Sequence, residues 1–126
     1  MQLRGIYPGE KCHVCVLVSD SGKSQFQDVF DEAQEDEQGT ATVRIRYLGD
    51  LGRANPLSYS SQVDTNNHIW KFIGGKHFRG WFFVEGTCVI FTNARHKTQR
   101  EQRDNDLARA RRMKKQYELE KKAGGK

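Results

Sequence analysis

The chain has 126 residues, of which 36% are hydrophobic and 29% charged, with a formal net charge of +5. That length supports one hydrophobic core rather than two, and the balance excludes the membrane-embedded and disordered classes. No apolar run is long enough to cross a bilayer, and MQLRGIYPGEK lacks the apolar stretch and cleavage site of a secretory signal, so a cytosolic location is expected.

Three cysteines suit that location, because an odd number argues against a disulfide framework. Cys12 and Cys15 form a CxxC inside KCHVCVLVS, which reads as a strand, where residues three apart point to opposite faces. No second CxxC completes a four-ligand zinc site, so both are expected to be ordinary strand residues.

From Lys11 to Ser19 the apolar residues run without alternation, as in a strand covered on both faces. The period then changes. Asp20 or Ser21 reads as a helix N-cap, and Phe26, Val29, Phe30 and Ala33 follow at i, i+3, i+4, i+7 spacing. Asp28, Asp31, Glu32, Glu35, Asp36 and Glu37 occupy the other face, and Gln38-Gly39-Thr40 is expected to end the helix. ATVRIRYL alternates like a strand, and GDLGRANPLSYSSQVDTNN is rich in turn formers, so one strand and a long loop are expected over residues 41 to 67.

His68 to Ile73 reads as a strand, Gly74-Gly75 as a turn, and FRGWFFV with TCVIFTN as a hairpin turning at Glu85-Gly86. Phe78, Phe82 and Val84 fall on one face of it, Trp81 and Phe83 on the other, so this hairpin is expected to be central and covered on both sides. From about Gln102 to Lys122 the chain is helix-prone, with Leu107, Ala110, Met113 and Tyr117 as a narrow apolar stripe for docking on the sheet. The domain is therefore read as residues 1–122, with 123–126 frayed because glycines resist ordering. The fold class expected is α+β: a small, mostly antiparallel sheet packed by an N-terminal and a C-terminal helix.

Charge is unevenly spread, acidic early and basic from Arg95 to Lys122, which suits an anionic polymer as partner. The plainer alternative is a solvated helix face.

Residues 68 to 117 carry a resemblance: HIWKFIGGKHFRGWFFVEGTCVIFTNARHKTQ, then REQRDNDLARARRMKKQY. A strand with an aromatic and a basic residue (Trp70-Lys71), an aromatic-arginine pair opening an apolar run (Phe78-Arg79, then WFFV), another apolar strand, a basic turn (Arg95-His96-Lys97-Thr98-Gln99) and a helix with Leu107-Ala108-Arg109-Ala110 follow in order. This order resembles the RelE/ParE superfamily, in its HigB-like, phage-associated branch of type II toxin–antitoxin toxins. Over the first 67 residues one helix is read where that family has two.

The resemblance implies an endoribonuclease that cuts mRNA, usually on the ribosome, without a metal ion or other cofactor, and that is neutralised by an antitoxin protein. Such chemistry needs a base at the ribose 2′-hydroxyl, cations at the phosphorane and an acid at the leaving oxygen. Arg79 matches the family's phosphate-binding arginine, and a guanidinium offers a planar fork for phosphate oxygens; the plain alternative is a surface arginine paired with a carboxylate. His96, the histidine of the basic turn, suits proton transfer at cellular pH. Lys71 matches a basic position facing the same cleft. These three are the expected catalytic residues, with Arg95, Lys97, Arg100, Lys76 and His77 expected to contact RNA. Turn residues such as Lys76 and His77 are often merely solvated. Tyr117 is expected in the core rather than in catalysis, as are Trp70, Trp81 and the phenylalanines. The rival reading is a non-enzymatic protein: a ParE-like inhibitor of DNA gyrase, or a phage protein that binds nucleic acid.

Overall fold

The computed structural model describes residues 1–52, 59–97 and 103–125. In chain order the elements are β1 (Gln2–Pro8), β2 (His13–Val18), α1 (Gln25–Glu32), α2 (Glu35–Leu51), β3 (Ser60–Asp64), β4 (Ile69–Ile73), β5 (Phe78–Glu85), β6 (Cys88–His96) and α3 (Arg103–Gly125). The strands form one sheet in the order β1-β2-β6-β5-β4-β3. All neighbours are antiparallel except β2 and β6, which run parallel with Val14 opposite Val89. A strand inside a parallel pairing is covered on both faces, and this is why β2 reads as an unbroken apolar run.

The expected fold is corrected by this architecture. The sheet is six-stranded and mixed rather than small and mostly antiparallel, and three helices pack on it rather than one from each end of the chain. The error lies between residues 20 and 52. Helix α1 starts at Ser24, whose side chain accepts from the Gln27 N–H, and stops at Ala33 in an extended conformation. Helix α2 then begins with Glu35, Asp36 and Glu37 in its first turn, where carboxylates favour the positive end of the helix dipole. It runs through Gly39 and through the strand-like ATVRIRYL. Ala41, Ile45 and Leu48 are buried at helical spacing, while β-branched Val43 and aromatic Tyr47 face solvent, so burial of one helical face overrides local β-propensity.

Helices α1 and α2 cover one face of the sheet. Their side contributes Phe26, Ala41, Ile45 and Leu48 to a core with Val14, Val16, Phe72, Phe78, Phe82 and Phe91. Phe26 stacks on Phe91 at 4.3 Å between centroids and meets Phe78 edge-on at 5.4 Å. Gly80 makes this possible, since a Cβ there would stand 2.9 Å from the Phe26 ring.

Helix α3 covers the other face. Ala110 packs with Ile69 and Trp81, and Tyr117 with Leu17, Phe83 and Ile90, as the apolar stripe predicts. The β5–β6 hairpin is central and its two faces divide as expected, Phe78 and Phe82 against α1 and α2, Trp81 and Phe83 against α3. Its turn sits one residue later than expected: Glu85 pairs with Cys88, leaving Gly86-Thr87 as the loop, with Gly86 at φ 59° in the first position that a type II′ turn reserves for glycine. Helix α3 reaches Gly125, past the expected end at Lys122. Among the described residues no helix is long and apolar enough to cross a membrane.

Candidate functional site

Six of the basic residues singled out in the sequence, Lys76, His77, Arg79, Arg95, His96 and Lys97, lie at one end of the sheet, around the turn joining β4 to β5 and the last residues of β6. Gly74 closes that turn by donating its N–H to the Phe78 carbonyl at 3.0 Å, and the Lys97 N–H donates to the His77 carbonyl at 2.7 Å. Which side chains face which way depends on a bulge. Trp81 pairs with Asn93 but Phe82 pairs with Phe91, so Thr92 is an extra residue in β6. Beyond it the alternation of β6 reverses. Gln25 of α1 secures the reversed stretch, with Nε2 donating to the Ala94 carbonyl at 2.9 Å and Oε1 accepting from its N–H at 2.6 Å.

As a result His96 pairs with Phe78 on the α1/α2 face, and Arg95 pairs with Arg79 on the α3 face. His96 meets Glu37 of α2, with Nε2 2.9 Å from Oε2. A carboxylate only accepts, so Nε2 carries a proton, and in the neutral form of the ring Nδ1 is the nitrogen with the lone pair. The other oxygen of Glu37 accepts the backbone N–H groups of His77, at 2.7 Å, and Phe78, at 3.0 Å. Burial pushes the Glu37 carboxyl up, but the His77 amide, the His96 imidazole and the Phe78 amide outweigh it and hold it below its usual range. The rings of His77 and His96 lie 5.3 Å apart, and His77 Nδ1 is 3.2 Å from the Lys97 carbonyl.

Arg79 leaves the opposite face of the sheet from His96 and folds back over the turn. Its Nη1 donates to the carbonyls of Gly75, at 2.7 Å, and Phe78, at 2.9 Å, and its Nη2 to that of Lys76, at 3.3 Å. Gly75 stands between the two groups: its backbone, at φ 149°, suits glycine, and a Cβ on it would lie 3.5 Å from Glu37 Oε1. Burial lowers the proton affinity of the Arg79 guanidinium, with Glu37 opposing and Arg44 adding to the effect, yet an arginine remains charged. Arg79 has no carboxylate partner among the described residues, and the three turn carbonyls use only some of the five N–H groups an arginine carries.

The remaining expected residues divide. Lys76 and Lys97 are exposed beside the cluster. Arg95 instead binds Asp106 of α3, its Nε 2.8 Å and 2.7 Å from the two carboxylate oxygens, and so anchors the helix to the sheet. Lys71 pairs with Trp81, on the face that α3 covers, away from Glu37 and His96. Arg100 lies outside the described residues. Tyr117 is buried, with its hydroxyl donating to Glu85 at 2.9 Å, which fits the core reading.

Glu37 is the residue that the sequence reading passed over, absorbed into an acidic helix face. The available signal was three carboxylates in a row before a helical run, which marks a helix start. Among the described residues no group of three or more His, Cys, Asp or Glu is placed to hold a metal ion, and Cys15 neighbours Cys88 across the β2–β6 pairing. Compared with known proteins, the chain matches no protein-family model and no curated protein.

Proposed function

We propose that the chain is an endoribonuclease acting on mRNA by internal phosphoryl transfer without a metal ion, as the toxin of a type II toxin–antitoxin module in the cytoplasm. The observation that carries this reading is the 2.9 Å hydrogen bond from His96 to Glu37 beside a second imidazole, that of His77. Glu37 orients His96 and holds its tautomer, so that Nδ1 takes the proton of a ribose 2′-hydroxyl. The 2′-oxygen forms a bond to the adjacent phosphorus, and the bond to the 5′-oxygen breaks. A proton from His77, in its imidazolium form, passes to that leaving oxygen. The products are a 2′,3′-cyclic phosphate and a free 5′-hydroxyl. Arg79 offers its remaining N–H groups to the non-bridging oxygens, where charge grows in the transition state, and Lys76 and Lys97 steer the strand.

The test is purified protein incubated with mRNA, with and without ribosomes. Cleavage leaving cyclic phosphate ends, reduced by about 10²–10⁴-fold in His96→Ala, is expected. Undiminished cleavage by a double variant of Arg79→Ala with His96→Ala removes these assignments. Inhibition of DNA supercoiling with no cleavage would instead select the gyrase-inhibitor reading.

A further inference from the structure

The described cations of helix α3 divide into paired and unpaired. Arg111 is matched with Asp64 at 2.5 Å, Lys114 with Glu118 at 3.1 Å and Lys121 with Glu85 at 2.7 Å. Glu120 is likewise occupied, by the N-terminal amine and by Gln116. Arg109, Arg112, Lys115 and Lys122 are exposed and have no partner among the described residues. At 1.5 Å per residue they span about 20 Å of helix face.

Such an arrangement is costly for a helix that only needs to be soluble. Between Asp106 and Glu118 the sequence holds Arg109, Arg111, Arg112, Lys114 and Lys115 and no carboxylate. Like charges three and four residues apart destabilise a helix, and a merely solvated face intersperses the two signs. Arg111 and Lys114 have Asp64 and Glu118; the counter-charge that Arg109, Arg112 and Lys115 lack is one that a polyanion supplies. The stripe bears no aromatic side chain, because Tyr117 is turned into the core. Unpaired bases are held by stacking on aromatic rings, so a smooth cationic helix face lacks the means to grip a single strand. It suits instead the regularly spaced phosphates of a double helix, contacted without regard to sequence.

We infer that the solvent face of α3, through Arg109, Arg112, Lys115 and Lys122, docks on the phosphate backbone of double-helical RNA, apart from the Glu37–His96 cluster. The inference rests on the reading that the chain acts on RNA, and assigns the folded part of that RNA its own surface. The two surfaces lie on opposite faces of the sheet, so one molecule holds a duplex through α3 while a single strand reaches the cluster.

The experiment compares the intact chain with a variant carrying Arg109→Gln, Arg112→Gln, Lys115→Gln and Lys122→Gln, using fluorescence anisotropy of a short blunt-ended RNA duplex over a salt series. Each contact removed is expected to reduce the slope of log affinity against log salt by about 1, so the variant's slope should be shallower by about 3–4. Its duplex affinity at low salt should fall by at least about tenfold. Circular dichroism should show the helix retained, since the substitutions relieve repulsion, and cleavage of a single-stranded RNA should persist. Unchanged duplex affinity and slope would overturn the inference. So would equal competition by a single strand of the same sequence, or by polyglutamate of equal charge, which would point to an acidic protein. A chain that cuts no RNA yet loses duplex binding in the variant removes the nuclease reading and leaves the docking surface standing.

Discussion

Glu37 and His96 are joined by a 2.9 Å hydrogen bond between the first turn of α2 and the last residue of β6. The same carboxylate accepts two backbone N–H groups of the β4–β5 turn, so one side chain fixes a helix end, a turn and a strand end together. Glu37→Ala leaves both amides without an acceptor, and a loss of about 2–3 kcal/mol in urea titration is expected. Glu37→Gln, which keeps an acceptor oxygen, should lose less stability but still lower the cleavage rate, because an amide no longer stabilises the imidazolium that forms on His96.

Acid should destabilise the protein in a defined window. The Arg111 guanidinium, helped by Asn67, holds the Asp64 carboxyl at about 2 against an ordinary 3.8. Its folded value lies below its unfolded one, so the stabilisation is complete above the ordinary value and is lost as pH falls through the folded value. Glu37 is shifted in the same direction and adds to the same acid limb. Asp64→Asn should flatten that limb in melting experiments run as a function of pH.

Arg95 tests structure against RNA binding. Asp106 is only 4% exposed, and Arg95→Ala leaves its carboxylate unpaired, at an expected loss of about 2–4 kcal/mol. Adding Asp106→Asn should recover part of that loss, which denaturant titration of the two variants measures. A phosphate-binding role would instead show as weaker RNA affinity at unchanged stability.

The contact of Gly80 with Phe26 should give non-additive energetics. Phe26→Ala is expected to cost about 3–5 kcal/mol. Gly80→Ala should cost about 1–3 kcal/mol by forcing a methyl against the ring. In the Phe26→Ala background the Gly80→Ala penalty should shrink toward zero, a coupling that a double-mutant cycle reads directly.

Tyr117→Phe keeps the ring against Phe83, 5.8 Å away, and removes the hydrogen bond to Glu85. A loss of about 1 kcal/mol with unchanged cleavage is expected. A large fall in cleavage rate at that stability would assign Tyr117 to the reaction.

Residues 68 to 94 were legible because their signals are local, whereas Arg95 and His96, expected in a turn after the last strand, are the final two residues of β6. A continuous apolar stretch, paired glycines and alternating aromatics specify a covered hairpin without help from elsewhere, and the 3.6-residue stripe of α3 is equally self-contained. Residues 33 to 52 misled because Val43, Ile45 and Tyr47 also alternate, and only contact with the sheet selects Ala41, Ile45 and Leu48 as the buried set. β1 and β3, the edge strands, left little trace, since most of their residues face solvent.

By itself the amino-acid sequence determined the central hairpin, its two apolar faces, the docking stripe of α3 and the basic character of the chain's second half, all of which follow from short-range periodicity and composition. The tertiary structure decided which basic residues share a site. One extra residue at Thr92 reverses the alternation of β6, sending His96 to Glu37 and Arg95 to Asp106. With a side-chain period of two, a single-residue bulge exchanges the faces of everything beyond it, and such a bulge is secured by long-range partners such as Gln25, which no local pattern encodes.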